Sequence, residues 1–307
     1  MPAGIPAGAM VRRADWLTVD EIERFVRVAA DHGVRKVRLT GGEPLLRTDL
    51  EEIVARIARV ELIEDLALTT NGALLAGRAQ GLRDAGLDRL TVSLDALDPQ
   101  RFREMCGGRG DDATILEAID AAQHAGFAAL KINCVVERGR NEDQVLALAD
   151  HFRGTPHTLR FIEYMDAGTC NGWRPEQVVP SAELRDRITG VWPLAQIKAG
   201  RRGEVAKRWR YVDGLGEIGF ISSISQPFCG DCTRLRLGAD GRLYTCLFAR
   251  SGTDVRPLLA EGCQNALALR LGLLWRGRQD RYSELRATES KTGLPTSGRV
   301  EMYTVGG

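Results

Sequence analysis

Cysteine is absent from the first 105 residues, and the whole chain holds only four histidines. Those histidines (His32, His124, His151 and His157) have no partner at metal-ligand spacing, which leaves them without chemistry of their own. Seven cysteines is an odd number, and only Cys229, Cys232 and Cys246 are clustered. That usage suits a reducing cytoplasm and a metal site better than a disulfide framework. An excess of either charge is missing too, since 42 basic residues meet 41 acidic ones. Such balance provides no general field for nucleic acid or an anionic membrane. No apolar run approaches the ~18 residues of a transmembrane helix. The opening ten residues lack a basic start and are broken by proline and glycine, so they are no secretory signal.

What is present is a globular chain of 307 residues, long enough for one large or two medium domains. Thr18-Val-Asp-Glu21 has the form of a capping box, and Ile22, Phe25, Val26 and Ala29 follow on one helical face. Gly33 supplies a stop. A strand is predicted over 34–39, then a second capping box at Thr48-Asp-Leu-Glu51 opens a second helix. Further strands are predicted over 65–70, 89–95, 129–136 and 158–164, with helices between them. Five βα units imply a parallel α/β sheet, doubly wound or closed as a barrel. After about residue 190 the pattern changes to short strands, a cysteine cluster and a helical stretch over 255–287. Two domains are therefore expected, 1–190 and 191–307.

Cys229-Gly-Asp-Cys232, followed by Cys246 after a thirteen-residue gap, is the sharpest signal. A CxxC turn places two thiolates together, and a hairpin can return the third. Zinc would need a fourth ligand, for which Cys263 is the downstream candidate; three thiolates suit an iron–sulfur cubane with one open iron. The spacing leaves both open. Thr40-Gly-Gly-Glu-Pro44 ends the first strand, and its paired glycines let a ligand approach the backbone. Lys131 and Arg160 put charge inside otherwise apolar strands, a costly choice unless they are paired or bind an anion. Arg234 and Arg236 share a face if 233–236 is extended, as a polyphosphate clamp would require. Gly214-Leu-Gly-Glu-Ile-Gly219 matches a dinucleotide fingerprint but precedes a strand, not a helix, and is set aside. The basic run over 198–210 is expected to be a solvated hairpin.

Taken in order, Arg38-Leu-Thr-Gly-Gly-Glu-Pro-Leu-Leu-Arg47, Thr69-Thr-Asn-Gly72, Val92-Ser-Leu-Asp95, Arg160-Phe-Ile-Glu-Tyr-Met165, the CxxC-x13-C cysteines, Thr233-Arg-Leu-Arg236 and Gly306-Gly307 resemble the GTP 3',8-cyclases of molybdenum cofactor biosynthesis, lyases of the radical S-adenosylmethionine superfamily. The resemblance covers essentially the whole chain. It implies an incomplete parallel (βα)6 TIM-type barrel closed by a smaller C-terminal α+β domain. It implies that Gly42, Ser93 and Met165 contact S-adenosylmethionine. Arg38, Thr69, Lys131 and Arg160 would hold GTP with Arg234, Leu235 and Arg236. Cys229, Cys232 and Cys246 would bind a [4Fe–4S] cluster whose open iron meets the guanine. Gly306 and Gly307 would reach back to the active site, where Arg160, Arg234 and Arg236 also act. The implied reaction begins with a 5'-deoxyadenosyl radical taking hydrogen from C3' of GTP, after which that carbon attacks guanine C8. A reducing electron donor and the next enzyme of the pathway are the implied partners, and a homodimer is compatible.

One departure shapes a further expectation. The family's first [4Fe–4S] cluster takes Cys-x3-Cys-x2-Cys, a spacing found nowhere in these 307 residues, and an upstream arginine for GTP is absent as well. In the family the last of those cysteines is commonly followed by Met-Pro, and this chain begins Met1-Pro2. The expectation is a truncated reading that lacks the first barrel strand and, as written, does not cleave S-adenosylmethionine. The competing readings are a non-catalytic nucleotide-binding module, stabilised by a cluster or by zinc, and a peptide-modifying radical enzyme. The latter usually carries more clustered cysteines and lacks paired arginines such as Arg234 and Arg236. Cys106, Cys134, Cys170 and Cys263 receive no role from the resemblance.

Overall fold

Helix α1 (Val19–Asp31) begins where the sequence places it. The Thr18 hydroxyl accepts from the Glu21 amide and the Glu21 carboxylate from the Thr18 amide, closing two free N–H groups. Its buried face carries Phe25, Val26, Val28, Ala29 and Ala30. The computed structural model describes residues 12–306 apart from 109, 170, 201–202 and 292–299. The readings that rest on Met1-Pro2, Cys170 and Gly307 lie outside the described residues.

The second capping box does not form. Helix α2 (Leu50–Ala58) starts after Asp49, with no side-chain cap. Arg47 takes the Asp49 carboxylate through Nε at 2.7 Å and Nη2 at 2.9 Å, and Glu51 pairs with Arg78 instead of turning back on Thr48. A charge-assisted pair outcompetes the weaker cap.

The βα alternation holds. Strands β1 (Lys36–Leu39), β2 (Asp65–Thr70), β3 (Arg89–Ser93), β4 (Lys131–Val136) and β5 (Thr158–Glu163) are parallel and lie side by side in chain order. Between them run α3 (Ala79–Asp84), α4 (Pro99–Met105), α5 (Asp112–His124) and α6 (Val145–Phe152). Helix α7 (Ser181–Thr189) follows β5. Three more strands, β6 (Leu194–Gln196), β7 (Lys207–Tyr211) and β8 (Glu217–Ile221), extend the same sheet beyond residue 190. β8 is parallel to β5, whereas β7 and β6 turn back antiparallel. The GxGxxG match therefore spans the turn of the β7–β8 hairpin and runs into β8, in line with its dismissal. A small antiparallel sheet of β9 (Arg236–Leu237), β10 (Arg242–Tyr244) and β11 (Thr253–Asp254) comes next. The predicted C-terminal helical stretch divides into a 3₁₀ turn, α8 (Gln264–Arg276) and α9 (Tyr282–Lys291), and α10 (Met302–Val305) ends the described chain.

Strand alternation sorts the sheet into two unlike faces. One carries Leu68, Leu90, Val92, Ile132, Cys134, Leu159 and Phe161, all buried in one core with Phe25, Ile53, Ile57, Ile119 and Leu148 from the helices. Phe161 stacks on Phe220 across β5 and β8 at 6.2 Å. Burial of each such side chain contributes about 1.5–3 kcal/mol. Cys134 is one of this set, so packing accounts for it. The opposite face is polar, and it is the interior of the partial barrel.

Candidate functional site

Three rows of side chains cross the barrel interior. The lowest holds Lys36 and Arg89 on either side of Asp65, with Lys36 Nζ at 2.5 Å and Arg89 Nε at 2.8 Å from its carboxylate. Burial would raise the Asp65 pKa, but hydrogen bonds from Lys36 and Arg89 outweigh it and hold the group below its usual range. This layer was not singled out from sequence, although Lys36 lies two residues before Arg38 and Arg89 two before Thr91.

Above it, Thr69, Thr91, Lys131 and Thr158 are in register across β2 to β5. Arg38 reaches up from β1 to donate to the Thr69 hydroxyl at 2.7 Å and the buried Thr91 hydroxyl at 3.1 Å. Lys131 has no hydrogen-bond or ion-pair partner among the described residues. Burial, then the charges of Arg160, Arg89 and Arg38, push its pKa down to about 8. In the top row, Ser93, Asn133, Arg160 and Gly219 are in register. Asn133 Oδ1 accepts from Arg160 Nε at 2.9 Å and Nη2 at 2.6 Å. Burial, followed by Arg38 and Arg89, lowers the Arg160 pKa to about 10. A Cβ at Gly219 would stand 3.1 Å from Arg160 Cγ, so the glycine makes room for this side chain. Arg38, Lys131 and Arg160 thus face one space, and none of them is ion-paired among the described residues.

Polar latches hold the strand ends. Glu43 accepts from the Leu45 amide, the Thr70 hydroxyl at 2.8 Å and the Asn71 amide at 2.8 Å. Its carboxylate therefore ties the Thr40–Pro44 turn to β2. Gly42 lies in that turn, beside it. Glu163, fully buried at the end of β5, accepts from the amides of Ser181, Ile224 and Ser225 at 2.7–2.8 Å. Met165 follows, and its carbonyl accepts from Asn171 Nδ2 at 2.9 Å. The Asp95 carboxylate accepts from the Val135 amide at 2.8 Å, and burial raises its pKa to about 6. None of these three latches was legible, because each takes a donor from an element remote in sequence.

The C-terminal part brings a second group to the barrel mouth. Cys229–Asp231 is one 3₁₀ turn that closes on Cys232. The β9–β10 hairpin pairs Arg236 with Tyr244, which carries Cys246 back toward that turn. Arg234 Nε lies 3.3 Å from Cys232 Sγ, and Arg278 donates to the Cys232 carbonyl at 2.6 Å. Burial would raise the Cys232 thiol, but Arg234 and Arg278 outweigh it and bring the pKa to about 7. Arg236 donates to the Gly306 carbonyl. Gly306 sits at φ +69°, and a Cβ there would lie 2.3 Å from Thr40 Cγ2. The chain end is thus packed against the glycine turn after β1. Leu235, between the two arginines, packs on the core.

Do these thiols fit an iron–sulfur cluster? Among the described residues, no group of three or more His, Cys, Asp or Glu converges on one point as a single ion requires. A cubane takes each thiolate on a different iron, so its ligands need not converge. Three half-buried thiols beside two guanidiniums form a donor set that fits such an anionic cluster. Cys263 occupies the N-cap position of α8, with no side-chain cap.

Comparison with known proteins gives the class first. Residues 4–152 match the Radical SAM superfamily, and residues 157–284 match Molybdenum Cofactor Synthesis C. The solved structure "Native anSMEcpe with bound AdoMet" shares the fold at a TM-score of 0.51 and 15% identity, over 85% of this chain and 75% of that one. A GTP 3',8-cyclase of Xanthomonas campestris pv. campestris (strain 8004) is 60% identical over 291 residues, 95% of this chain and 84% of that protein. One from Acidothermus cellulolyticus is 48% identical over 307 residues, 98% of this chain and 85% of its own length. The chain belongs to the GTP 3',8-cyclase family, whose members are radical S-adenosylmethionine enzymes of molybdenum cofactor biosynthesis.

Proposed function

We propose that this chain binds GTP with its triphosphate on Arg38, Lys131 and Arg160 and its base toward Cys229, Cys232 and Cys246, for conversion to 3',8-cyclo-7,8-dihydro-GTP. The observation that carries the reading is the unpaired cation set inside the barrel. Such a set costs the folded chain stability, and a bound anion offsets that cost. Thr69 orients Arg38. Arg234, Leu235 and Arg236 supply the clamp from the C-terminal side, where Arg236 also holds Gly306 at the mouth. Gly42, Ser93 and Met165, at the ends of β1, β3 and β5, line the place for S-adenosylmethionine.

When bound, the cluster and S-adenosylmethionine supply one-electron radical chemistry. The chain's own residues bind and orient the nucleotide, neutralise its phosphates and keep water from the reacting carbon. In this reading 1–190 carries the radical chemistry and 191–307 the second cluster, with the sheet shared between them. Free thiols among the described residues support a reducing, cytoplasmic setting. An electron donor is required, the next enzyme of the pathway takes the product, and a homodimer is compatible.

The 307 residues alone lack the three-cysteine motif of the first cluster, so they are expected to bind GTP without cleaving S-adenosylmethionine. The test joins this chain to an N-terminal segment carrying the family's Cys-x3-Cys-x2-Cys spacing. Formation of 5'-deoxyadenosine and the cyclised nucleotide only in the joined protein supports the reading. GTP binding by neither form overturns it, and GTP binding with no 5'-deoxyadenosine from the joined protein favours the non-catalytic nucleotide-binding module.

A further inference from the structure

We infer that Asn133 is a positioning residue for the anion site: its neutral carboxamide fixes the direction of Arg160 without cancelling its charge. This rests on the GTP reading above and adds to it.

The guanidinium makes two hydrogen bonds to one oxygen, Asn133 Oδ1, at 2.9 and 2.6 Å. A carboxylate would be the stronger partner for an arginine, through a bidentate pair. Elsewhere on the same sheet face carboxylates are used: Asp65 takes Arg89, and Glu217 takes Arg208 at 3.1 Å. The pattern changes above the Asp65 row, at Arg38, Lys131 and Arg160. Arg38 is held by the hydroxyls of Thr69 and Thr91, Arg160 by an amide, and Lys131 by nothing among the described residues. Neutral acceptors orient these cations and leave their field available to a polyphosphate. Register places Asn133 beside both Ser93 and Arg160, so one side chain links the two expected ligand sites.

Asn133→Asp separates charge from shape, because the two side chains are nearly isosteric. With a carboxylate at 133, Arg160 gains a salt bridge and the interior loses one net positive charge. The probes are GTP and inorganic triphosphate, measured by equilibrium dialysis against the full chain after anaerobic reconstitution with iron and sulfide. The expected result is affinity for both about tenfold weaker or more, equal to about 1.4 kcal/mol, with a shallower salt dependence and a thermal midpoint equal to or above that of the unchanged chain. Opposite movements of stability and binding are what a merely structural asparagine would not give. Affinity within twofold of the unchanged chain overturns the inference, as does weaker binding together with a lower midpoint. If the unchanged chain binds neither probe, the GTP reading itself fails, and the two failures are thereby told apart.

Discussion

Gly306 lies so close to Thr40 that a Cβ on the glycine would stand 2.3 Å from Thr40 Cγ2. The far end of the chain is thereby seated on the turn that follows the first strand, with Arg236 holding its carbonyl. The positive φ at Gly306 adds a second reason for glycine. Gly306→Ala is expected to lift the terminal segment while leaving the barrel folded. Limited proteolysis reads this as faster cleavage within 300–306, with an unchanged thermal midpoint.

Lys131 sets a pH dependence with two signs. Its folded-state pKa of about 8 is below the ordinary 10.5, so between those values the unfolded chain binds more protons. Stability therefore rises with pH across that window, and the cost of the buried charge is full below pH 8. GTP affinity moves the other way, falling as pH climbs through about 8 and the ammonium is lost. Lys131→Met is expected to raise the melting temperature at pH 7 and to weaken GTP binding at the same pH.

Asp65 is the counterpart at the base of the barrel. Its pKa is held below 3.8, so its contribution is present above that value and is lost as pH falls through the folded pKa. Asp65→Asn leaves Lys36 and Arg89 facing each other and is expected to cost about 2 kcal/mol. Urea unfolding at pH 7 measures the loss. As the pH falls below 3.8 and through the folded pKa, the variant and the unchanged chain should converge.

Arg160→Lys tests geometry against charge. Lysine keeps the positive charge but cannot make the fork to Asn133. Thermal stability is expected to hold, while GTP affinity falls severalfold by equilibrium dialysis.

Much of this architecture is legible from residues alone. The five parallel strands follow from period-two runs between capped helices, and the charged strand positions Lys131 and Arg160 marked the interior because charge inside a strand is costly. The Thr18 box could be read because its partners lie three residues apart. The Thr48 box misled because Glu51, its reciprocal partner, is taken by Arg78 from a remote element. Glu43 and Glu163 were opaque for another reason: most of their donors come from other elements, and no local pattern announces them. The Asp65 layer lies between these cases. Its three residues were visible, but the register joins only Lys36 to Asp65, and the reach of Arg89 across from the next strand shows in its side-chain contacts.

The most direct measurement is the metal content of the full chain, purified and reconstituted without oxygen, with and without GTP. The expected result is about four irons per chain, a cluster signal that GTP perturbs, loss of iron in Cys229→Ser, Cys232→Ser and Cys246→Ser, and none in Cys263→Ser. About one zinc per chain, lost in Cys263→Ser and indifferent to GTP, would contradict it.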